Sequence, residues 1–361
     1  MIVFVHLLND RSGSPRVLRN VIDAMAARDS SRILYVGSEG DGFLGGASLK
    51  VRRFFYRRRG NRWLTLLAYL RSQWDLWRSL RQAVDIDPDA LLYVNTLLPF
   101  AAAVYGRCSG RRVICHLHEV ALRPRLLHFL LLKIANWSAY RVICVSQFHR
   151  KKLGLARAIV VMNAVDPAMF DVGLRNVYAH RREGRFRVCM VCSLRDYKGV
   201  PEFFSLSQDF SNESDIEFEL VVSDDDDTLR HYCASRVVPS NLCIRNAVHD
   251  TSQVYARASL VMNLSRVDLC EETFGLTLLE AMTFGVPVIA PPSGGPVEFV
   301  DNGVHGYLVD SRDRMSLRGA VEKLAQNEVL CQQMSRKCRE RARLMSPEVF
   351  QADIRQAVFE I

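Results

Sequence analysis

Two carboxylates, separated by seven residues, bracket a short apolar segment in the second half of the chain. Glu272 and Glu280 enclose Phe274-Gly275-Leu276, which follows a strand-like run at Leu260–Asn263. A glycine turn that opens a helix presents backbone N–H groups to a phosphate, and the helix dipole favours an anion there. Carboxylates beside such a seat can hold sugar and ribose hydroxyls. The segment predicts a site for a phosphorylated sugar, although two solvated carboxylates on an ordinary strand–helix unit explain the pair equally well.

A basic turn lies near the start of the same half. Arg195 and Lys198 follow the strand-like run Arg187–Cys192 and precede Gly199. Cations at the end of a strand can bind an anionic group of a ligand. A solvated basic loop is the alternative interpretation.

Two further candidates lie in the first half. His118 follows the strand-like run Arg112–His116, and Gly13 and Ser14 lie between the first strand and the first helix. Gly13 permits a tight turn, and Pro15 at the helix start leaves N–H groups that can face an anion. A structural histidine and a plain strand–helix turn are the simpler interpretations.

The scaffold for these residues follows from the hydrophobic pattern. Apolar strand-like runs alternate with amphipathic helical stretches along the whole chain, which is typical of parallel α/β sheets. We predict two Rossmann-like domains with parallel sheets, an interdomain cleft and a C-terminal helix that packs back on the first domain. The predicted divisions are a first domain at 1–170, a linker at 171–184, a second domain at 185–345 and the returning helix at 346–361.

Composition excludes several classes of protein. With 361 residues, 49% of them hydrophobic and 24% charged, the chain has the composition of a globular protein with two domains. The ten cysteines lack a framework spacing, no apolar run is long enough for a bilayer and no signal peptide is visible, so we expect a cytoplasmic protein. The net charge of +9 is concentrated in the first half, so the two halves are expected to face different partners.

The segment from Glu271 to Asp310 resembles the retaining family-4 glycosyltransferases. Glu272 and Glu280 have the Glu, seven residues, Glu spacing of that family. Gly285-Val286-Pro287-Val288 then matches the family's Gly-x-Pro-Val strand, and Gly294-Gly295 matches its Gly-Gly loop. The resemblance implies the GT-B architecture, with an acceptor-side first domain and a second domain that holds a nucleotide-sugar donor.

The resemblance also assigns roles to residues. It implies that Glu272 contacts the transferred sugar, that Glu280 holds the ribose, and that the backbone of Phe274, Gly275 and Leu276 faces sugar and diphosphate. Lys198 corresponds to a diphosphate cation of the family, and His118 to a sugar contact; Gly13 and Ser14 fall in the first-domain loop that approaches the diphosphate. Cys192 and Ser193 stand where the family has Gly and Arg, and we expect Arg195 to substitute for the missing cation.

The implied reaction moves a hexose-type sugar, with retention, from a UDP- or GDP-sugar to a saccharide acceptor, lipid-linked, in bacterial surface polysaccharide or lipopolysaccharide synthesis. No cofactor and no metal are expected, and the Asp-x-Asp sequences within Asp85–Asp89 and Asp224–Asp227 are interpreted as solvated loops. The rival hypotheses are a nucleotide-sugar epimerase or hydrolase on the same fold, and a basic membrane- or nucleic-acid-binding protein with a degenerate sugar site.

A basic and aromatic run in the first half points to the acceptor. Lys50 to Arg59 interleaves cations with aromatic residues, and Arg123 to Lys133 is apolar with basic flanks. Such surfaces suit an anionic membrane. We therefore expect Arg57, Arg58 and Arg59 to contact the acceptor or the inner face of the cell membrane, where the protein would be peripheral, and we expect no nucleic-acid partner. A soluble basic face over a core helix is the alternative.

Overall fold

A computed structural model describes residues 1–26, 32–38, 40, 42–45, 49–57, 59–234, 236–246 and 250–360. The chain divides into two compact units. Unit 1 comprises Met1–Met162 together with Phe350–Ile361, and unit 2 comprises Asn163–Val349.

Unit 1 is built on a parallel sheet of seven strands in the order β3-β2-β1-β4-β5-β6-β7. Its central strands β1, β4 and β5 are buried along their whole length, as expected for a sheet covered on both faces. The strands are β1 Ile2–His6, β2 Arg32–Val36, β3 Lys50–Arg53, β4 Leu91–Asn95, β5 Val113–Leu117, β6 Arg141–Cys144 and β7 Ile159–Val160. The helices are α1 Gly13–Met25, α2 Arg62–Gln82, α3 Phe100–Cys108, α4 Arg125–Ser138 and α5 Gln147–Lys152.

Unit 2 carries a second parallel sheet, of six strands in the order β10-β9-β8-β11-β12-β13. The strands are β8 Phe186–Cys192, β9 Ile216–Val222, β10 Leu242–Asn246, β11 Leu260–Met262, β12 Val288–Ala290 and β13 Gly306–Leu308. The helices are α6 Pro167–Arg175, α7 Val200–Asp209, α8 Asp226–Ala234, α9 Ser252–Arg257, α10 Leu276–Thr283, α11 Arg314–Gln326 and α12 Glu328–Arg343. The predicted fold class, two Rossmann-like parallel α/β domains, is confirmed.

The last helix, α13 Pro347–Phe359, returns to unit 1. Arg355 Nε donates to Ala24 O at 2.8 Å, and Arg141 Nη1 donates to Ala357 O at 2.7 Å. Ile354 on the inner side of this helix is completely buried. The expected packing of the C-terminal helix on the first domain is therefore present within unit 1.

The predicted linker at 171–184 is wrong, because the segment is part of unit 2. Asp166 caps helix α6 by accepting from Ala168 N and Met169 N, so the chain is helical where the sequence loses its apolar period. Beyond the helix, Tyr178 Oη donates to Ser259 O at 2.9 Å and His180 Nε2 lies 2.9 Å from Leu324 O. The polar side chains that suggested a linker instead bind the backbone of unit 2.

Strand β3 was not predicted, since Lys50–Arg53 was interpreted as basic surface. It pairs in parallel with β2 at the edge of the sheet. Arg52 donates to Tyr35 Oη at 2.8 Å, and Asp85 pairs with both Arg52 and Lys50. Charged residues suit an edge strand, because they discourage pairing with further chains. Asp85, interpreted as part of a solvated loop, is therefore engaged by two cations.

Candidate functional site

Each sheet reverses its strand order at one point, and open α/β sheets bind ligands at the carboxyl ends of the strands there. In unit 2 the reversal lies between the neighbouring strands β8 and β11. The loop after β8 carries Lys198, and the loop after β11 carries Glu272. The topology thus brings together two residues that are 74 positions apart in the sequence.

Glu272 is the centre of a polar cluster. Lys198 Nζ donates to Glu272 Oε1 at 2.6 Å. Ser265 Oγ donates to the same oxygen at 2.6 Å, and Asn263 Nδ2 at 3.3 Å. Both side chains come from the first residues after β11. Three donors therefore fix the position and rotation of this carboxylate.

The cluster is charged in its resting state. Burial alone would raise the pKa of the Glu272 carboxyl, but the Lys198 ammonium and the hydrogen bonds from Ser265 and Asn263 hold that pKa below its ordinary value. Burial alone would lower the pKa of Lys198, and Glu272 reverses this and raises it. The site therefore presents a cation and an anion side by side at neutral pH.

A glycine allows the two loops to meet. Gly199 has φ of +81°, and a Cβ atom there would lie 2.1 Å from Leu264 O in the loop after β11. Arg266 N donates to Tyr197 O at 2.9 Å and links the loops a second time. The Lys-Gly sequence is thus explained by geometry: the glycine permits the close approach that places the lysine beside Glu272.

The N-terminus of helix α10 opens beside this cluster, directly after the loop that carries Glu272. Gly275 caps it with φ of +94°, and the helix begins at Leu276. Phe274 is buried and stacks on Phe299, with ring centroids 5.1 Å apart, so only its backbone is left for a ligand. The free N–H groups of the first turn and the helix dipole make this end suitable for an anion.

The loop that contains Gly294 and Gly295 packs against the backbone of residues 272–274. Gly295 N donates to Glu272 O at 2.8 Å. A Cβ atom on Gly295 would lie 2.1 Å from Thr273 O, and one on Gly294 would lie 2.6 Å from Glu272 O. Both positions therefore require glycine for the loop to pack against the backbone of 272–274.

Glu280 lies one turn further along α10 and is 2% exposed. Tyr255 Oη on helix α9 donates to Glu280 Oε2 at 2.5 Å. A carboxylate in so buried a position is stable only when hydrogen-bond donors surround it. No sequence pattern points to this partner, since Tyr255 lies 25 residues away on another helix.

Arg195 binds another partner. Its Nη1 atom lies 3.1 Å from Asp224 Oδ1, and Leu194 N donates to Asp224 Oδ2 at 2.6 Å. Asp224, expected to lie in a solvated loop, thus neutralises Arg195 and fixes the turn. The role of Arg195 as the second diphosphate cation stays a prediction, and it requires an exchange of partners.

In unit 1 the strand order reverses between β1 and β4, and polar side chains collect at that edge. His118 Nε2 lies 2.9 Å from Asn95 Oδ1. Asn95 Nδ2 donates to Ser14 O at 3.1 Å and lies 3.2 Å from His6 Nδ1. The predicted residues His118 and Ser14 are therefore joined through Asn95, which sequence reasoning missed.

Glu119 ties the neighbouring loops together. Its carboxylate accepts from Leu97 N at 3.2 Å and from His118 N at 3.2 Å. Thr96, the residue before Leu97, has a φ of +74°, and its N–H donates to His116 O at 2.8 Å. A non-glycine residue in the left-handed region is strained and must be held by its surroundings. Glu119 supplies that support and fixes the backbone of His118.

The histidines at this edge are neutral. Burial lowers the pKa of His6 to about 4 and that of His116 to about 3. Burial, followed by the nearby histidines, holds the pKa of His118 well below its ordinary value. At neutral pH these rings can donate or accept hydrogen bonds but do not contribute positive charge.

Gly13 does not form the tight turn expected of it. Helix α1 begins at Gly13, which has no positive φ, and an added Cβ atom would have no described atom within 4 Å. Ser12, just before it, donates from both N and Oγ to Asp10 Oδ1. The start of α1 is therefore open on its outer side.

Of the three arginines predicted to contact the acceptor or the membrane, the structure describes two. Arg57 and Arg59 are exposed, and Arg58 lies outside the described residues. Arg59 N donates to Thr65 Oγ1 at 3.1 Å, which ties this segment to the start of α2. Within the described ranges, no group of three or more His, Cys, Asp or Glu side chains is arranged to hold a metal ion.

Two protein-family models match the chain, one in each half. The family model for glycosyl transferases group 1 matches residues 178–345, and the model for glycosyltransferase family 4 matches residues 11–168. Sucrose-phosphate synthase 4 of Arabidopsis thaliana is 44% identical over 59 residues, which are 16% of this chain and 6% of the plant protein. Sucrose synthase of Melioribacter roseus is 59% identical over 39 residues, 11% of this chain and 5% of the bacterial protein. The chain thus matches less than a tenth of the length of these relatives.

Solved structures match over the whole chain. Anabaena HepE in complex with UDP and glucose has a TM-score of 0.79 at 19% identity, covering 100% of this chain and 99% of HepE. The lipopolysaccharide outer core galactosyltransferase WaaB has a TM-score of 0.69 at 15% identity, covering 99% of both chains. At such identities the likeness establishes the GT-B fold. Together with the two family matches, it identifies the chain as a member of the group 1/family 4 glycosyltransferases.

Proposed function

We propose that the chain is a retaining, metal-independent glycosyltransferase that moves a hexose-type sugar from a UDP- or GDP-sugar to a saccharide acceptor. The observation that carries this proposal is the Lys198–Glu272 pair at the carboxyl ends of β8 and β11, beside the N-terminus of α10. The complexes of HepE with UDP and with UDP-glucose support a uridine nucleotide as the donor.

In the proposed complex each group of the site meets one part of the donor. The diphosphate lies against Lys198 and the first N–H groups of α10 at Gly275 and Leu276. The sugar hydroxyls bind Glu272, and the ribose hydroxyls bind Glu280. His118, a neutral ring, is proposed as a hydrogen-bond partner for sugar or diphosphate.

Donor binding exchanges partners at the ion pair. Lys198 leaves Glu272 for the diphosphate, and the sugar hydroxyls replace the ammonium as donors to the carboxylate. Ser265 and Asn263 keep their hydrogen bonds to Glu272 Oε1, so the carboxylate stays in place during the exchange. The resting ion pair thus preorganises both groups.

The proposed chemistry needs no side-chain base. The acceptor hydroxyl attacks the anomeric carbon from the side on which the nucleotide diphosphate departs, and the diphosphate oxygen accepts the hydroxyl proton. Lys198, with Arg195 released from Asp224, stabilises the negative charge on the leaving group in place of a metal ion.

Nucleotide binding and product analysis test this function. UDP and GDP are titrated into the full chain with EDTA present, and NMR then determines the anomeric configuration of the product. We expect one nucleotide to bind without a metal and the product to keep the configuration of the donor. Hydrolysis or epimerisation of the donor without an acceptor would favour the rival enzymes, and no nucleotide binding would favour a binding protein.

We also propose that the acceptor is lipid-linked and that unit 1 contacts an anionic membrane. Helix α2 buries one stripe that includes Tyr69 and Leu76, yet a second apolar stripe faces solvent. Trp63 is 74% exposed and Trp74 is 66% exposed. Leu67 and Leu70 lie on the same side between them and are also exposed.

The surroundings of this stripe are basic. Arg59, Arg62 and Arg71 are exposed at the start and along the side of α2. Helix α4, which like α2 packs against α3, adds a second exposed apolar stripe that includes Leu126 and Trp137. Tryptophan beside arginine is typical of surfaces that bind anionic bilayers.

Among the described helices none combines the length and apolarity needed to cross a bilayer. A peripheral position at the cytoplasmic face, in surface polysaccharide or lipopolysaccharide synthesis, is proposed accordingly.

Liposome sedimentation tests the membrane contact. We expect the chain to bind vesicles that contain phosphatidylglycerol, and we expect Trp63→Ser with Trp74→Ser to abolish that binding. The matched control is Leu344→Ser, which removes an equally exposed apolar side chain from unit 2. Arg57, Arg58 and Arg59→Ala should weaken binding more at low salt than at high salt. Unchanged binding in both sets of variants would refute the contact.

A further inference from the structure

A fully buried tyrosine donates to the carboxylate proposed to bind ribose. Tyr255 has no exposed surface, and its hydroxyl lies 2.5 Å from Glu280 Oε2. Its ring packs on Phe284 with centroids 5.8 Å apart, at the end of the helix that carries Glu280. The ring is therefore held by packing, and its hydroxyl has one fixed position.

A buried carboxylate at this point of α10 is costly for folding. The neighbouring positions Leu278, Leu279, Ala281 and Met282 are apolar and buried, and an apolar side chain at 280 would remove the cost of burying a charge. The tyrosine hydroxyl offsets part of that cost. The hydroxyl also selects one orientation of the carboxylate. Without the hydroxyl, the rotatable bonds of the glutamate side chain would allow other orientations.

We propose that Tyr255 is a positioning residue that aims Glu280 at the ribose hydroxyls of the donor nucleotide. The proposal rests on the role of Glu280 in the proposed function. Tyr255 touches neither sugar nor phosphate and acts only through the carboxylate. Its hydroxyl donates to Oε2 and so fixes the orientation of the carboxylate that the ribose hydroxyls are proposed to contact.

The test compares two nucleotides that differ only in the groups at issue. UDP carries the 2′ and 3′ hydroxyls of ribose, and 2′,3′-dideoxy-UDP lacks both. Isothermal titration gives the Kd of each nucleotide for the full chain, and the ratio of the two Kd values measures the contribution of the ribose hydroxyls. We expect the wild-type chain to bind UDP more tightly by about tenfold or more, since hydrogen bonds to a charged group are involved.

In Tyr255→Phe only the hydroxyl is removed. We expect the Kd for UDP to rise about tenfold, the Kd for the dideoxy nucleotide to stay unchanged, and the preference for UDP to be lost. In a cycle with Glu280→Gln, the double variant should be no weaker than Glu280→Gln alone, because the two residues act as one unit. Tyr255→Met, which fills similar space without a hydroxyl, gives a second route to the same result.

The matched control is Tyr178→Phe. This variant also deletes a buried tyrosine hydroxyl from unit 2, one that donates to Ser259 O at 2.9 Å and not to Glu280. We expect it to leave both Kd values unchanged.

The outcomes separate this inference from the proposed function. If the wild-type chain prefers UDP and Tyr255→Phe keeps the same preference, the inference is overturned and the role of Glu280 stands. Equal weakening of both nucleotides by Tyr255→Phe would mean a structural role and would also overturn it. If the wild-type chain does not distinguish the two nucleotides, the ribose role of Glu280 fails and the inference fails with it.

Discussion

Acid should destabilise unit 1 through its buried histidines, and His116 allows the size of the effect to be worked out. This residue of β5 is completely buried, Tyr93 Oη lies 2.8 Å from its Nδ1, and its Nε2 has no hydrogen-bond partner among the described residues. Burial, together with the nearby His149, lowers its pKa from 6.5 to about 3.

Proton linkage gives the direction in which the stability of unit 1 changes with pH. The unfolded chain binds a proton at His116 below pH 6.5, whereas the folded chain does so only below about pH 3. The contribution of the neutral ring is fully present above pH 6.5 and is lost progressively as the pH falls towards 3. At pH 5 the lost contribution is about 2 kcal/mol, from 1.36 kcal/mol for each pH unit below 6.5. That is a sizeable fraction of the roughly 5–15 kcal/mol by which domains are stable.

Tryptophan fluorescence isolates the unit concerned. All four tryptophans of the chain, at positions 63, 74, 77 and 137, lie in unit 1. Urea unfolding is followed by this signal at pH 8 and pH 5 for the wild-type chain and for His116→Gln, whose amide does not titrate. The carboxyl of Glu119, whose pKa is raised mainly by burial, has the opposite pH dependence, and it is present in both proteins and cancels.

We expect the unfolding free energy of the wild-type unit to fall between pH 8 and pH 5 by about 2 kcal/mol more than that of His116→Gln. The glutamine variant should be the less stable protein at pH 8, where the wild-type ring is neutral and well packed. Parallel losses in the two proteins would refute the reasoning, because they would mean that His116 titrates alike in the folded and unfolded chain.

Three further predictions concern unit 2 and the helix termini. Lys198→Met leaves the Glu272 carboxylate without its countercharge, so the unfolding free energy should fall by about 1–2 kcal/mol, a modest loss because the pair is partly exposed. Titration calorimetry should also show a loss of UDP binding. An unchanged affinity for UDP would contradict the role of the lysine. Gly199→Ala places a methyl group against Leu264 O with an unfavourable φ, and circular dichroism should show a lower Tm. Gly13→Ala meets no described atom and sits in a helix, so its Tm should be equal or higher, and a lower Tm would contradict the open start of α1.

The pattern of the sequence was sufficient for the scaffold. Alternating apolar runs predict parallel sheets, and the rule that ligands bind at the carboxyl ends of strands points to the loops of Lys198 and Glu272. The linker at 171–184 failed because a polar sequence was equated with exposure. Those side chains bind backbone groups of unit 2, which no local pattern reveals.

The rest of the site depends on tertiary contacts. Asn263, Ser265 and Tyr255 have ordinary residue types at ordinary positions, and only the folded loops bring them to the two carboxylates. Gly13 shows the converse, since its type suggested a turn that the backbone does not make. Residues that position others are therefore harder to predict than the residues they position.

Helix α2 illustrates a further limit. Its apolar residues form two stripes, and periodicity alone does not tell which stripe enters the core. The structure buries Leu76 and Leu80 and leaves Trp63 and Trp74 in solvent. The sequence therefore predicts a basic and aromatic surface, but it does not show which side of α2 is exposed.

The most direct test of the central claim is the binding of UDP-glucose, UDP and GDP to the full chain in the presence of EDTA, by titration calorimetry, for the wild type and for Glu272→Gln. We expect one nucleotide family to bind without a metal. The sugar nucleotide should bind more tightly than the nucleotide alone in the wild type, and Glu272→Gln should abolish that difference while leaving the nucleotide affinity nearly unchanged. Binding that requires a divalent metal, or a sugar contribution that survives Glu272→Gln, would contradict the assignment of the donor site.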